Sequence, residues 1–309
     1  MKEDKNLSDA EQQKFLSDFE KVWVCEFCLH HNSIPENYRP PKEENPCTIL
    51  KKADKKSMEA QIKNEEKVLI FCIDVSGSMD FQVEGKSRLE SVQEAIADEI
   101  SRFKFEKEAI KVGLITFGSY VTLIGDGHKF KQTRLDTSLY KNFEGLAQDV
   151  SKINNFCYPV STSFKSLKEV VGDLSTYGAT ALGPALLSAV ELASKGGIGS
   201  KVILCTDGEA NVGIGGSFSD DRFTFYERMA NYAKEKKVMV NILSLKGDKC
   251  NLKELGKLSY ATSGLVMKIN PKALGTEFSK IIEEKILGSE SKLVIKLNKR
   301  FQICNGRPG

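Results

Sequence analysis

Asp74, Ser76 and Ser78 stand two residues apart in Asp74-Val75-Ser76-Gly77-Ser78-Met79, and each offers a hard oxygen. One carboxylate and two hydroxyls crowded into a single turn suit Mg²⁺ or Mn²⁺, which take oxygen ligands in octahedral geometry. Gly77 lets the backbone curl so that both serines address the same ion. Two later loops carry the same chemistry. Ser175-Thr176-Tyr177-Gly178-Ala179-Thr180 ends in a hydroxyl after a glycine turn, and Thr206-Asp207-Gly208-Glu209 presents a second carboxylate. The candidate metal ligands are therefore Asp74, Ser76, Ser78, Thr180 and Asp207. The competing reading of the first loop is a Ser/Gly turn whose aspartate only caps the next helix.

These loops need elements that bring them together. Val68-Leu69-Ile70-Phe71-Cys72-Ile73 and Lys201-Val202-Ile203-Leu204-Cys205-Thr206 read as buried strands ending at the two aspartates. Lys111–Gly118 and Tyr120–Ile124 read as a hairpin. Apolar positions Leu89, Val92, Ile96, Ile100 and Phe103 have helical spacing between Ser87 and Glu106. Helical patterns recur at Phe143–Ile153, Ser163–Leu174, Ala181–Ala193, Phe223–Lys236, Leu252–Leu258 and Leu274–Leu287. Strand patterns recur at Val238–Leu245 and Leu265–Ile269. Alternation of this kind predicts an α/β fold, a doubly wound, mostly parallel central sheet flanked by helices. Ligands of such sheets bind at the carboxyl ends of strands, where Asp74 and Asp207 fall.

Three regions follow: residues 1–66, polar and lysine-rich; residues 67–288, the α/β unit; and residues 289–309, which begin a C-terminal β element with Leu293, Ile295 and Leu297 alternating. The end at Asn305-Gly306-Arg307-Pro308-Gly309 reads as the cut edge of a longer protein. A net charge of +3 gives no pull towards nucleic acid or anionic lipid. No apolar run approaches the roughly 20 residues of a membrane-spanning helix. The charged start, Met1-Lys2-Glu3-Asp4-Lys5-Asn6, is no secretory signal. Cys72 and Cys205 lie within apolar strands as reduced core residues, so a cytoplasmic location is expected. The sequence leaves the oligomeric state open.

Residues 67–288 resemble a von Willebrand factor type A domain with a metal-ion-dependent adhesion site, the three motif loops occurring in the family's order. The resemblance implies that Ser76 and Ser78 ligate the ion directly and Thr180 directly or through water. Asp74 and Asp207 often act through water. It also implies recognition rather than catalysis: the ion accepts an acidic side chain from a protein partner. None of His30, His31 and His128 belongs to the loops to serve as a base.

The segment Val22-Trp23-Val24-Cys25-Glu26-Phe27-Cys28 is the second chemical feature. Cys25 and Cys28 form a knuckle, and Cys47 follows at zinc-ribbon distance. A full ribbon places its fourth cysteine at position 50, where this chain has Leu50. Cys25, Cys28 and Cys47 are candidate Zn²⁺ ligands, with His30 or His31 as a fourth. The alternative is a metal-free knuckle that packs Trp23 and Phe27. The segment resembles the zinc-ribbon start of vesicle-coat proteins and, more closely, that of circularly permuted Ras-like proteins with a type A domain. Recruitment to a trafficking or ubiquitin-linked assembly through this segment is a second functional reading. A third is a Mg²⁺-dependent phosphotransfer enzyme with Asp74 as nucleophile. That chemistry resembles the haloacid dehalogenases, which place a second aspartate where this chain has Ser76. Gly196–Gly199 and Gly213–Gly216 lack the following Lys-Ser/Thr of a phosphate loop and are expected to be flexible connections.

Overall fold

The computed structural model describes residues 22–24, 31–33, 66–106, 110–208, 210–217, 219, 224–245, 252–269 and 274–283. Strands β1 (Val22–Val24) and β2 (His31–Ser33) pair antiparallel, with Trp23 opposite Asn32. They belong to a unit separate from the central domain. Cys25, Cys28 and Cys47, and the β element expected over 289–309, lie outside the described residues.

In the central domain, β3 (Val68–Asp74) is buried at every position. Strands β4 (Gln82–Val83) and β5 (Lys86–Ser87) form a small hairpin that leads into helix α1 (Arg88–Glu106). Next come β6 (Lys111–Phe117), β7 (Val121–Gly125) and the two-residue β8 (Thr133–Arg134). Helix α2 (Phe143–Ser151), β9 (Tyr158–Pro159) and helices α3 (Val160–Gly172) and α4 (Leu182–Ala193) follow. The rest alternates: β10 (Lys201–Thr206), α5 (Phe225–Glu235), β11 (Met239–Leu245), α6 (Leu252–Ala261), β12 (Val266–Ile269) and α7 (Leu274–Glu283).

The sheet order is β12-β11-β10-β3-β6-β7-β8, with β9 added beside β6. Strands β12 through β6 run parallel, and β7, β8 and β9 run antiparallel to their neighbours. The α/β reading therefore holds, including the β6–β7 hairpin. The short strands β4, β5, β8 and β9 were not anticipated, because two residues carry no periodicity.

Successive side chains of a strand point to opposite faces, and here both faces are covered. Ile70, Cys72, Val202 and Leu204 pack with α2, α4, α5 and α6. Leu69, Phe71, Ile73, Ile203 and Cys205 pack with α1, α3 and α7. The expected stripe of α1, from Leu89 to Phe103, is fully buried against the second face. Helix α4 is buried all round, the state expected for a helix that is apolar on every side. Pro184 fits its first turn, where a backbone N–H lacks an intrahelical partner anyway. Cys72 and Cys205 are free and buried, and burial pushes both thiols up, so neither is a ready thiolate.

The two glycine-rich connections are packed, contrary to the flexibility expected of them. A Cβ at Gly196 would meet the Val68 side chain at 2.7 Å. The Ser200 hydroxyl accepts from Val68 N–H at 3.1 Å and donates to Gly197 O at 2.8 Å. Residues 210–217 are pinned likewise: Ile214 N–H donates to Tyr140 O at 2.7 Å, and Ser217 N–H to Ala210 O at 2.8 Å. Glycine here serves close approach of backbone to neighbour.

Candidate functional site

Because β3 and β10 are adjacent and parallel, Asp74 and Thr206 end side by side at the carboxyl edge of the sheet. The Asp74 side chain is wholly buried. One carboxylate oxygen accepts from Ser76 N–H at 2.9 Å, and the other accepts from the Thr206 hydroxyl at 2.6 Å. Burial is the main reason its pKa is pushed up to about 6, and the nearby Asp207 charge adds to it. The bonds from Ser76 and Thr206 oppose the shift.

The first loop turns into a short 3-10 helix at Gly77–Asp80. There the Ser76 and Ser78 hydroxyls lie 3.1 Å apart. The Ser78 hydroxyl donates to Asp207 Oδ1 at 2.6 Å, and Arg88 Nη1 donates to Asp207 Oδ2 at 2.5 Å. Gly77 and Ser78 are exposed, so the cluster opens to solvent through them, whereas Ser76, Thr180 and Asp207 are buried.

The second loop is tied to the first by backbone. Tyr177 N–H donates to Val75 O at 2.6 Å, and Gly77 N–H donates to Gly178 O at 3.0 Å. Gly178 has φ +66°, a left-handed conformation that disfavours a side chain, and a Cβ there would run into the Ser119 hydroxyl. That hydroxyl accepts from Ala179 N–H at 2.9 Å. Thr180 N–H donates to Asn211 Oδ1 at 2.7 Å, while Asn211 N–H returns to Thr180 O at 3.0 Å. Replacing Ser119 with Ala removes the acceptor for one loop N–H. The expected cost is about 1 kcal/mol by denaturant unfolding; a change below a few tenths would mean the Ser119 bond does not hold this loop.

Ser76, Ser78 and Asp207 are thus brought into direct contact. Asp74 joins them through Ser76 N–H and Thr206. Thr180 is anchored by its main chain to Asn211, two residues after the Gly178 that accepts from Gly77 N–H. Sequence reasoning missed Thr206, Asn211 and Arg88. Thr206 had a signal, since it immediately precedes Asp207. Asn211 and Arg88 had none, because their partners are distant in the chain. The donors are carboxylates and hydroxyls; among the described residues no three His, Cys, Asp or Glu side chains converge. The 3.1 Å between the two serine oxygens is close to one edge of an octahedron around Mg²⁺, roughly 3 Å for 2.0–2.1 Å bonds. The residues present fit a hard divalent cation.

Residues 69–139, which include the first loop, match the von Willebrand factor type A domain family. Over this stretch the chain is similar to that family. A curated protein similar to this chain is "Circularly permutated Ras protein 1" of Dictyostelium discoideum. That protein is 28% identical over 313 residues, covering 91% of this chain and 37% of its own length. The chain therefore spans little more than a third of the curated relative it matches. Among solved structures, a type A protein from Catenulispora acidiphila is 21% identical, with 70% of this chain and 42% of that one covered and a TM-score of 0.47. A human COPII-coat protein is 16% identical, with 66% and 30% covered and a TM-score of 0.49. The SpRpn10 type A domain is 15% identical, with 72% and 100% covered and a TM-score of 0.46.

Proposed function

We propose that the type A domain is a protein-binding module whose recognition face is built on Mg²⁺ or Mn²⁺. The supporting observation is the unbroken contact chain Ser76–Ser78–Asp207, with buried Asp74 beside it. Ser76, Ser78 and Thr180 would hold the ion, and Asp74 and Asp207 would supply the compensating charge. When bound, the ion supplies an electrophilic position for one carboxylate oxygen of a partner's acidic residue. The chain's own residues set the geometry: Gly77 and Ser78 leave the approach open, and the Asn211–Thr180 pair fixes the second loop.

Both carboxylates are engaged by donors, Asp74 by Ser76 and Thr206 and Asp207 by Ser78 and Arg88. That arrangement favours a structural, binding role over that of a nucleophile or base. No helix among the described residues is long and apolar enough to cross a membrane. We place the module in the cytoplasm, on the strength of its reduced, buried cysteines. Calorimetric titration with Mg²⁺ tests the reading: one site per chain is expected, abolished by Ser76→Ala. Equal binding by the variant would remove the site.

A second reading draws on the likeness to the Dictyostelium protein, which covers 91% of this chain and so reaches into residues 1–66. In it, the cysteine segment, with or without Zn²⁺, recruits the chain to a trafficking or ubiquitin-linked assembly. Deleting residues 1–66 separates the two readings, because partners kept in Mg²⁺ and lost in EDTA would belong to the type A face.

A further inference from the structure

Arg88 is the first residue of α1, and the β4–β5 hairpin folds it back across the metal loop. Four contacts hold it there. Its N–H donates to Phe81 O at 3.1 Å, and its guanidinium lies 4.8 Å from the Phe81 ring centroid. Nη1 reaches Asp207 Oδ2 at 2.5 Å and Ser78 O at 3.5 Å. The Asp207 side chain is fully buried and that of Arg88 is only 12% exposed. Phe81 is 61% exposed, unusual for so large an apolar side chain, and the guanidinium covers part of its ring. We infer that Arg88 is an internal counter-cation: it neutralises Asp207 when no divalent ion is present and competes with the ion, setting the site's affinity.

The inference rests on the metal-binding reading above. A divalent ion held by Ser76 and Ser78 would have to displace the Arg88 guanidinium from Asp207, against a positive charge that starts a few ångströms away. Like charges repel strongly at that separation when neither is well exposed to water. Removing the guanidinium frees Asp207 Oδ2 and lifts the repulsion, so the ion should bind more tightly. A residue that merely oriented Asp207 would act in the opposite direction, its loss weakening binding. The Phe81 ring serves as the backstop that keeps the guanidinium in place.

The test is calorimetric titration of the full chain with MgCl₂, comparing wild type with Arg88→Gln, Arg88→Lys and Phe81→Ala. Arg88→Gln should tighten Mg²⁺ binding about tenfold or more. Arg88→Lys, which keeps the charge, should stay near wild type. Phe81→Ala, which loosens Arg88 without deleting it, should tighten binding by less than Arg88→Gln. Phe81→Ala also carries the test should Arg88→Gln fail to fold. A thermal scan in EDTA adds a metal-free readout: Arg88→Gln should lower Tm, and the loss should vanish in an Asp207→Asn background. Wild-type binding with unchanged or weaker affinity in Arg88→Gln overturns this inference alone. Binding by neither protein overturns the metal reading and this inference with it.

Discussion

Asp74→Asn should yield a protein that is more stable than wild type in EDTA at pH 7 and that no longer binds Mg²⁺. The wild-type carboxylate is buried, and burial with the neighbouring Asp207 charge raises its pKa from 3.8 to about 6. For an acid the sign is as follows. Below the unfolded-state pKa near 3.8 the group is protonated in both states and costs nothing. As pH rises through that value to about 6 the unfolded chain ionises first, so stability falls and then levels off. The full cost, about 3 kcal/mol, is therefore present at pH 7. Asparagine keeps an acceptor for Ser76 N–H, and its amide can donate to the Thr206 hydroxyl in place of the bond that hydroxyl now makes. Allowing for imperfect hydrogen bonds, the variant should gain about 2 kcal/mol by urea unfolding at pH 7. It should also lose the wild-type decline between pH 4 and 6. A variant less stable than wild type at pH 7 would mean that the Asp74 charge is not a burden in the metal-free fold.

Gly183→Ala should be the most damaging single-methyl change near the site. Gly183 sits in the first turn of α4, and a Cβ there would run into the Ile214 carbonyl oxygen. The obstacle is backbone, held in turn by the bond from Ile214 N–H to Tyr140 O, so no side-chain rotation relieves it. Either α4 shifts on the sheet or residues 210–217 move. Overpacking of this kind costs about 3 kcal/mol, or a fall in Tm of roughly 6–10 °C for a domain of this size. Because Asn211 in the same segment holds Thr180, Mg²⁺ affinity should fall too. A Tm within about 1 °C of wild type would show that the contact is not rigid.

The strands that carry Asp74 and Asp207 were legible because runs such as Val68–Ile73 and Lys201–Cys205 leave no other reading than buried strand. Helix α1 was legible from five apolar positions at helical spacing, all of them buried. The five candidate ligands could be picked out because hydroxyl and carboxylate residues cluster beside glycine, four of them at or just after strand ends and Thr180 just before α4. What surrounds them could not. Arg88 reaches Asp207 across 119 positions, and Thr206 reaches Asp74 across 132. Such pairings follow from the order β10-β3-β6, which no local pattern records. The tightness of Gly213–Gly216 was misjudged for a related reason. Glycine signals freedom in an isolated chain, but here it marks where Tyr140, Pro184 and Phe225 press against the backbone.

The most direct measurement is an anomalous difference map from crystals of the full chain grown with Mn²⁺. The account predicts one strong peak per chain at the carboxyl edge of β3 and β10, roughly 2.1–2.3 Å from the Ser76 and Ser78 hydroxyl oxygens. The Arg88 guanidinium should have withdrawn from Asp207. A map with no peak there, or with manganese bound elsewhere on the domain, would contradict it.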